Sequence, residues 1–175
     1  EQELSGIPGW SLGGTWAIAK MPTVWVQAII VICAYVGFKA TDDFSLYAKE
    51  VLQVDEVEAA RVGTYSLWTR PLGAVAAGFL ADRFGAGKMT VISFVLLIAG
   101  SSVLASSILT ASMYVPYIVT IVCASLGIFA LRGLYYAIMK EGRVPLSYTG
   151  SAVGLVSVIG YTPDVFMGPL MGHLL

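Results

Sequence analysis

The sequence predicts an all-α membrane protein, a polytopic helical bundle with five transmembrane helices. Three observations lead there. The chain is 57% hydrophobic and only 12% charged, with a mean hydropathy of +0.80, whereas a soluble domain carries about a quarter charged residues. Its apolar residues fall in long runs, and a membrane helix needs about 20 of them at 1.5 Å each. No sustained two-residue alternation supports the strands of a barrel.

Residues 1–21 are Gly-rich and weakly polar, and read as the end of a cytoplasmic linker; residues 22–175 read as a transmembrane half-bundle. The first span is expected over about 22–46, with Pro22 suited to the opening turn of a helix. The second covers about 62–81 and is interrupted by Arg70-Pro71. The third covers about 89–109, the fourth about 115–139 and the fifth about 147–172. The uncharged stretch 89–131 is too long for one crossing, and Thr110-Ala111-Ser112 followed by Pro116 marks the break. Glu1 and Glu3 stand where a signal peptide carries bases. With no initiator Met and an apolar finish from Phe166 to Leu175, the chain reads as a fragment of a longer protein.

Basic residues in the short loops predict the orientation. Lys20, Arg83, Lys88, Lys140 and Arg143 lie on one side, and Lys49 and Arg61, among Glu50, Asp55, Glu56 and Glu58, on the other. The richer side is cytoplasmic. The first span then leaves the cytoplasm and the fifth ends outside.

Charges at membrane depth are costly unless paired or wet, so they mark interior faces or a cavity. Lys39, Asp42 and Asp43 fall late in the first span, Arg70 in the middle of the second, Arg132 in the inner third of the fourth and Asp164 in the middle of the fifth; the third has none. The third span is therefore expected to face lipid and the others the bundle interior. Lys39 is one turn from Asp42 and Asp43, placed for an intrahelical ion pair or for a solute or proton. Arg70 either locks Asp164 or meets an anionic substrate. Arg132 either snorkels towards the cytoplasm, where it can bond helix-end carbonyls, or serves a cavity. Asp164 follows Pro163, which frees a carbonyl and bends or unwinds the helix, as a coupling-ion site or a plain kink requires.

Ala74 and Gly78, Gly150 and Gly154, and Gly168 and Gly172 recur at four-residue spacing and read as close helix packing. Trp25, Tyr135, Tyr136 and Tyr148 read as interface anchors, although Tyr135 and Tyr136 could also line a cavity beside Arg132. Cys33 and Cys123, inside apolar runs, read as two buried free thiols, and His173 as a residue near the outer end of the last span. A net charge of −1 gives no electrostatic case for nucleic acid. No nucleophile elbow, Gly-Lys-Ser/Thr phosphate loop or His/Cys metal spacing is present, so neither an enzyme, a cofactor nor a metal site is expected.

Gly78, Asp82, Arg83, Gly85 and Lys88 sit in a charged hinge between two apolar runs. Their order resembles the loop motif that major facilitator superfamily transporters carry between their second and third helices, with a weaker copy between the eighth and ninth. Ala86 and Gly87 stand where the full motif has two bases, which favours the weaker copy and places these spans as helices seven to eleven of twelve, with helices one to five as the other register. The tail from Arg132-Gly133 through Pro145, Gly150 and Gly154 to Gly160-Tyr161-Thr162-Pro163-Asp164 also resembles the nitrate/nitrite-porter-like and sugar-phosphate-permease-like branches.

The resemblance implies a secondary transporter that moves a small polar or anionic solute by alternating access in a bacterial inner membrane. A coupling ion and an N-terminal half of the same protein are further implied partners beside the lipid bilayer. By the same resemblance Asp82 and Arg83 latch the cytoplasmic side. A transport-silent sensor or receptor, or a channel subunit, on the same helices is the competing expectation.

Overall fold

The computed structural model describes residues 16, 18–106, 108–110, 112–142, 144 and 148–174. Residues 1–15 and 17 of the expected linker, and Arg143, Pro145 and Ser147 of the expected fourth loop, lie outside the described residues. Every regular element among the described residues is helical. They are α1 (Pro22–Ala40), a 3₁₀ turn (Thr41–Asp43), α2 (Phe44–Val51), α3 (Glu56–Phe84), α4 (Ala86–Ala105), α5 (Tyr114–Leu134), α6 (Ala137–Glu141), α7 (Thr149–Gly160) and α8 (Pro163–Leu174).

Four stretches are long and apolar enough to cross a membrane: Pro22–Val51, Ala86–Ala105, Tyr114–Leu134 and Thr149–His173. The expected second span is a helix but is not among them. α3 has 29 residues, about 43 Å at the helical rise, so length is not its shortfall. Thr64, Ser66, Thr69, Arg70 and Pro71 lie together in its middle and lower its hydropathy. The first span also runs past its expected end, since the 3₁₀ turn at Thr41-Asp42-Asp43 carries the chain into α2 without breaking the apolar stretch. The fifth is divided as Pro163 predicts: α7 ends at Gly160, and Pro163 opens α8, where its missing N–H removes no helical bond.

The hinge is shorter than expected. α3 continues through Asp82, Arg83 and Phe84, and α4 begins at Ala86, so the connection is Gly85 alone. Its N–H bonds the Ala81 carbonyl at 2.8 Å, and its φ of 94° with ψ of 139° is a conformation that only glycine adopts without strain. At the other end of α3, Asp55 caps the helix by accepting from the Glu58 N–H at 2.7 Å.

The chain divides into two compact units, one of residues 34–134 and one of the residues up to 33 together with those from 135 on. In the unit 34–134, α5 is central and packs against both α3 and α4. Along α3 and α5 the contacts advance together, from the hydrogen bond between the Ser66 and Ser125 hydroxyls (2.8 Å) to Gly73 against Phe129 and Ala74 against Gly133. The two helices are therefore parallel, as the second and fourth spans of an alternating chain must be. α4 runs antiparallel to α5, with Gly127 against Ser93 and Gly100 against Ala124. Phe44, Ala48, Val62, Tyr117, Ile121 and Ile128 form the core, and the Tyr117 hydroxyl donates to the Phe44 carbonyl at 2.6 Å.

The glycines that bring helices together are not the pairs read from four-residue spacing. A methyl group at Gly127 would stand 2.8 Å from the Ser93 carbonyl oxygen, and one at Gly100 would stand 2.7 Å from the Ala124 Cβ. At Gly78, Gly150, Gly154, Gly168 and Gly172 it would meet nothing within 4 Å. Only Ala74 of the expected set is in such a contact. Spacing alone cannot tell a helix face that meets a neighbour from one that does not.

In the other unit, the Gln27 side chain donates to the Tyr135 carbonyl and Gly160 lies against Val31. The Tyr136 hydroxyl stands 2.8 Å from that of Ser157 and 3.1 Å from that of Tyr161. Cys33 and Cys123 are free thiols, but both are exposed rather than buried in protein. α4 exposes Val91, Val95 and Ile98, but exposed apolar residues such as Ile29, Leu67, Val119 and Val158 occur on the other long helices as well.

Candidate functional site

Arg70, Arg132, Lys39, Asp42 and Asp43 and the whole hinge motif fall in the unit 34–134, and Asp164 in the other. Lys39 reaches Asp42 at 2.8 Å, three residues on. This pair spans the junction of α1 with the 3₁₀ turn, and it meets the expectation of a local ion pair. The acids and bases of the expected outer side also pair. Lys49 bonds Glu56 at 3.0 Å, Arg61 bonds Glu58, and the Tyr114 hydroxyl donates to the second Glu58 oxygen at 2.9 Å.

Arg70 stands fourteen residues from either end of α3, about 21 Å of helix each way. It is exposed, and among the described residues it has no hydrogen bond or ion pair. A shallow groove of about 310 Å³ on the same helix is lined by Thr64, Leu67, Trp68 and Pro71. Arg70 is not part of its lining, and the groove's surface is mostly apolar.

The Arg132 guanidinium carbon lies 4.0 Å from the centre of the Phe38 ring and 5.7 Å from that of Tyr35. Phe38 is held in turn by an edge contact with Phe129 at 6.2 Å. The guanidinium is thus held against two aromatic rings. Sequence reasoning missed Tyr35 and Phe38. Their three-residue spacing puts both on one helix face, but the arginine they receive is almost a hundred residues away.

Asp164 is exposed in the first turn of α8, where the helix dipole favours an acid. At the hinge, Asp82, Arg83 and Lys88 are exposed, and Arg83 stacks over Phe84 at 5.5 Å. Among the described residues no ion pair joins Asp82 to Arg83. His173 is exposed near the end of α8. No group of His, Cys, Asp or Glu that could hold a metal occurs among the described residues.

Helices of this length and apolarity define an α-helical integral membrane protein. Two Escherichia coli proteins are similar to the chain: the inner membrane protein YqcE, 25% identical over 90% of this chain and 38% of its own length, and the inner membrane protein YihN, 23% identical over 91% and 38%. A probable nitrate transporter, NarT of Staphylococcus haemolyticus, is 33% identical over 61% of this chain and 26% of its own length. The chain thus spans less than two fifths of the length of these relatives. Their names are those of membrane proteins and a transporter, not of enzymes. No protein-family model and no solved structure matches the chain.

Proposed function

We propose that the chain is part of a secondary transporter of the major facilitator type that carries a small oxyanion across a bacterial inner membrane. The observation that carries this reading is Arg70: a permanent cation at the middle of a 29-residue helix, without a carboxylate partner among the described residues. A guanidinium kept at that depth costs several kcal/mol unless it faces water or an anion. An anionic solute supplies the missing charge only while it is bound, which suits a carrier better than a structural ion pair. The similarity to a probable nitrate transporter supports an oxyanion as cargo, and the two inner membrane proteins support the location.

In this reading residues 22–175 belong to the C-terminal half, with the N-terminus in the cytoplasm, and the two halves rock about a site at mid-membrane. Asp82 and Arg83, exposed and not paired with each other, latch the cytoplasmic side against the other half. Asp164, at the break between α7 and α8, is the titrating group if transport is coupled to protons.

The test is flux in liposomes holding the full-length protein. Wild type should take up nitrate with saturable, carrier-like kinetics. Arg70→Ala should raise KM about tenfold or more, the cost of one charge-assisted contact. Asp82→Asn should slow uptake while the protein still inserts. Saturable binding without flux would instead favour a sensor on the same helices, and an unchanged KM in Arg70→Ala would leave Arg70 structural.

A further inference from the structure

Arg132 and its aromatic neighbours go beyond a generic charge at depth. A guanidinium has two faces and one edge. The faces are poor in hydrogen bonding and stack on rings, and the edge carries all five N–H donors. In this protein the guanidinium carbon lies over the Phe38 ring, 4.0 Å from its centre, and Tyr35 stands at 5.7 Å. Phe38 is itself braced by Tyr35 at 5.5 Å and by Phe129 at 6.2 Å. Three rings on two helices thus form the wall against which the guanidinium rests. Among the described residues no carboxylate or carbonyl accepts from its N–H donors. The side chain is half-buried, so the edge is neither sealed in the core nor fully in solvent.

We infer that Arg132 is a second anion contact, an edge-on oxyanion fork whose orientation is set by Phe38 and Tyr35. The inference rests on the carrier reading above and names its ligand chemistry more closely: a small oxyanion with two oxygens that accept in the guanidinium plane. The register of α3 and α5 supports a shared site. Gly133 lies against Ala74, which puts Arg132 about one helical turn along from Arg70 in depth. Two arginines a turn apart, both without carboxylates among the described residues, suit an anion handed from one to the other or held by both. Phe38 then determines specificity without touching the solute, because it fixes the plane in which the fork must be met. An ammonium in place of the guanidinium keeps the charge and loses the fork.

The experiment uses the full-length protein, with nitrate and, separately, inorganic phosphate as probes. Binding is measured calorimetrically in detergent and uptake in liposomes. Arg132→Lys should weaken binding and raise KM for the recognised anion about tenfold or more while kcat changes little. Phe38→Leu, which keeps the arginine but frees its plane, should raise KM by a smaller factor. If Arg132→Met is not monodisperse in size-exclusion chromatography, the Lys and Leu variants still decide. Wild-type KM in Arg132→Lys with a reduced kcat means that Arg132 only positions α1, and overturns the site. Wild type that binds neither probe overturns it as well. Binding that depends on Arg132 without any flux keeps the site and overturns the carrier.

Discussion

At the scale of single residues, the hinge is decided by one glycine. Gly85 carries the entire turn between α3 and α4 at φ 94°, so a side chain there strains the backbone by about 1–3 kcal/mol. Gly78, the residue that opens the same motif, meets nothing within 4 Å. Gly85→Ala should therefore lower the thermal unfolding midpoint in detergent, whereas Gly78→Ala should leave it unchanged. Equal losses in both would mean that Gly78 is packed after all. The motif was legible as residues in order, but which glycine bears the turn was not. Backbone angle depends on where α3 stops, and α3 runs three residues past the apolar run that suggested its end. Arg132 makes the same point: its charge was visible in the sequence, while the rings that hold it come from a helix far away in the chain.

At the scale of elements, close approach is what joins α4 to α5. Membrane helices gain little from burying apolar surface against each other, so van der Waals fit and small residues carry the association. A Cβ on Gly127 would press on the Ser93 carbonyl oxygen at 2.8 Å and on the Leu96 Cβ at 3.0 Å. Backbone cannot yield as a flexible side-chain tip can, so Gly127→Ala should destabilise the protein by about 1–3 kcal/mol. Gly154→Ala, into open space, should stay within about 0.5 kcal/mol. Guanidinium or thermal unfolding followed by tryptophan emission measures both. Helix existence was readable from apolar runs and from Pro163; packing faces were not, since a glycine every four residues marks a possible face without saying that a neighbour occupies it. α3 shows the reverse case. Its buried Ser66 and Thr69 add to Thr64, Arg70 and Pro71 in making it too polar to pass as a span by composition, although the Ser125 hydroxyl (2.8 Å) and the helix's own Ser66 carbonyl (2.6 Å) satisfy them.

At the scale of the whole molecule, the charge of the loops assigns an orientation that the carrier reading requires. Gln53, between α2 and α3, and Lys88, at the start of α4, lie at opposite ends of α3. With Cys33 and Cys123 replaced by serine, a cysteine at position 53 should react with a membrane-impermeant maleimide added to intact cells. A cysteine at position 88 should react only after permeabilisation. The reverse pattern would invert the topology and remove Asp82 and Arg83 from any cytoplasmic latch. The parallel course of α3 and α5 and the antiparallel course of α4 agree with strict alternation of the spans, which the loop charges had already implied.

The sequence by itself determined the solvent, the helical class and the break at Pro163. All of these follow from composition and from order along one chain, because a bilayer forbids unsatisfied backbone and taxes every ion. The tertiary structure alone decided which glycines touch and that the connection at Gly85 is one residue long. It also decided that Lys39 pairs with Asp42 while Arg132 lies against Phe38 and Tyr35. These are contacts between residues distant in sequence, or choices among several local partners. They are settled by which helix faces meet, and no local pattern carries that information.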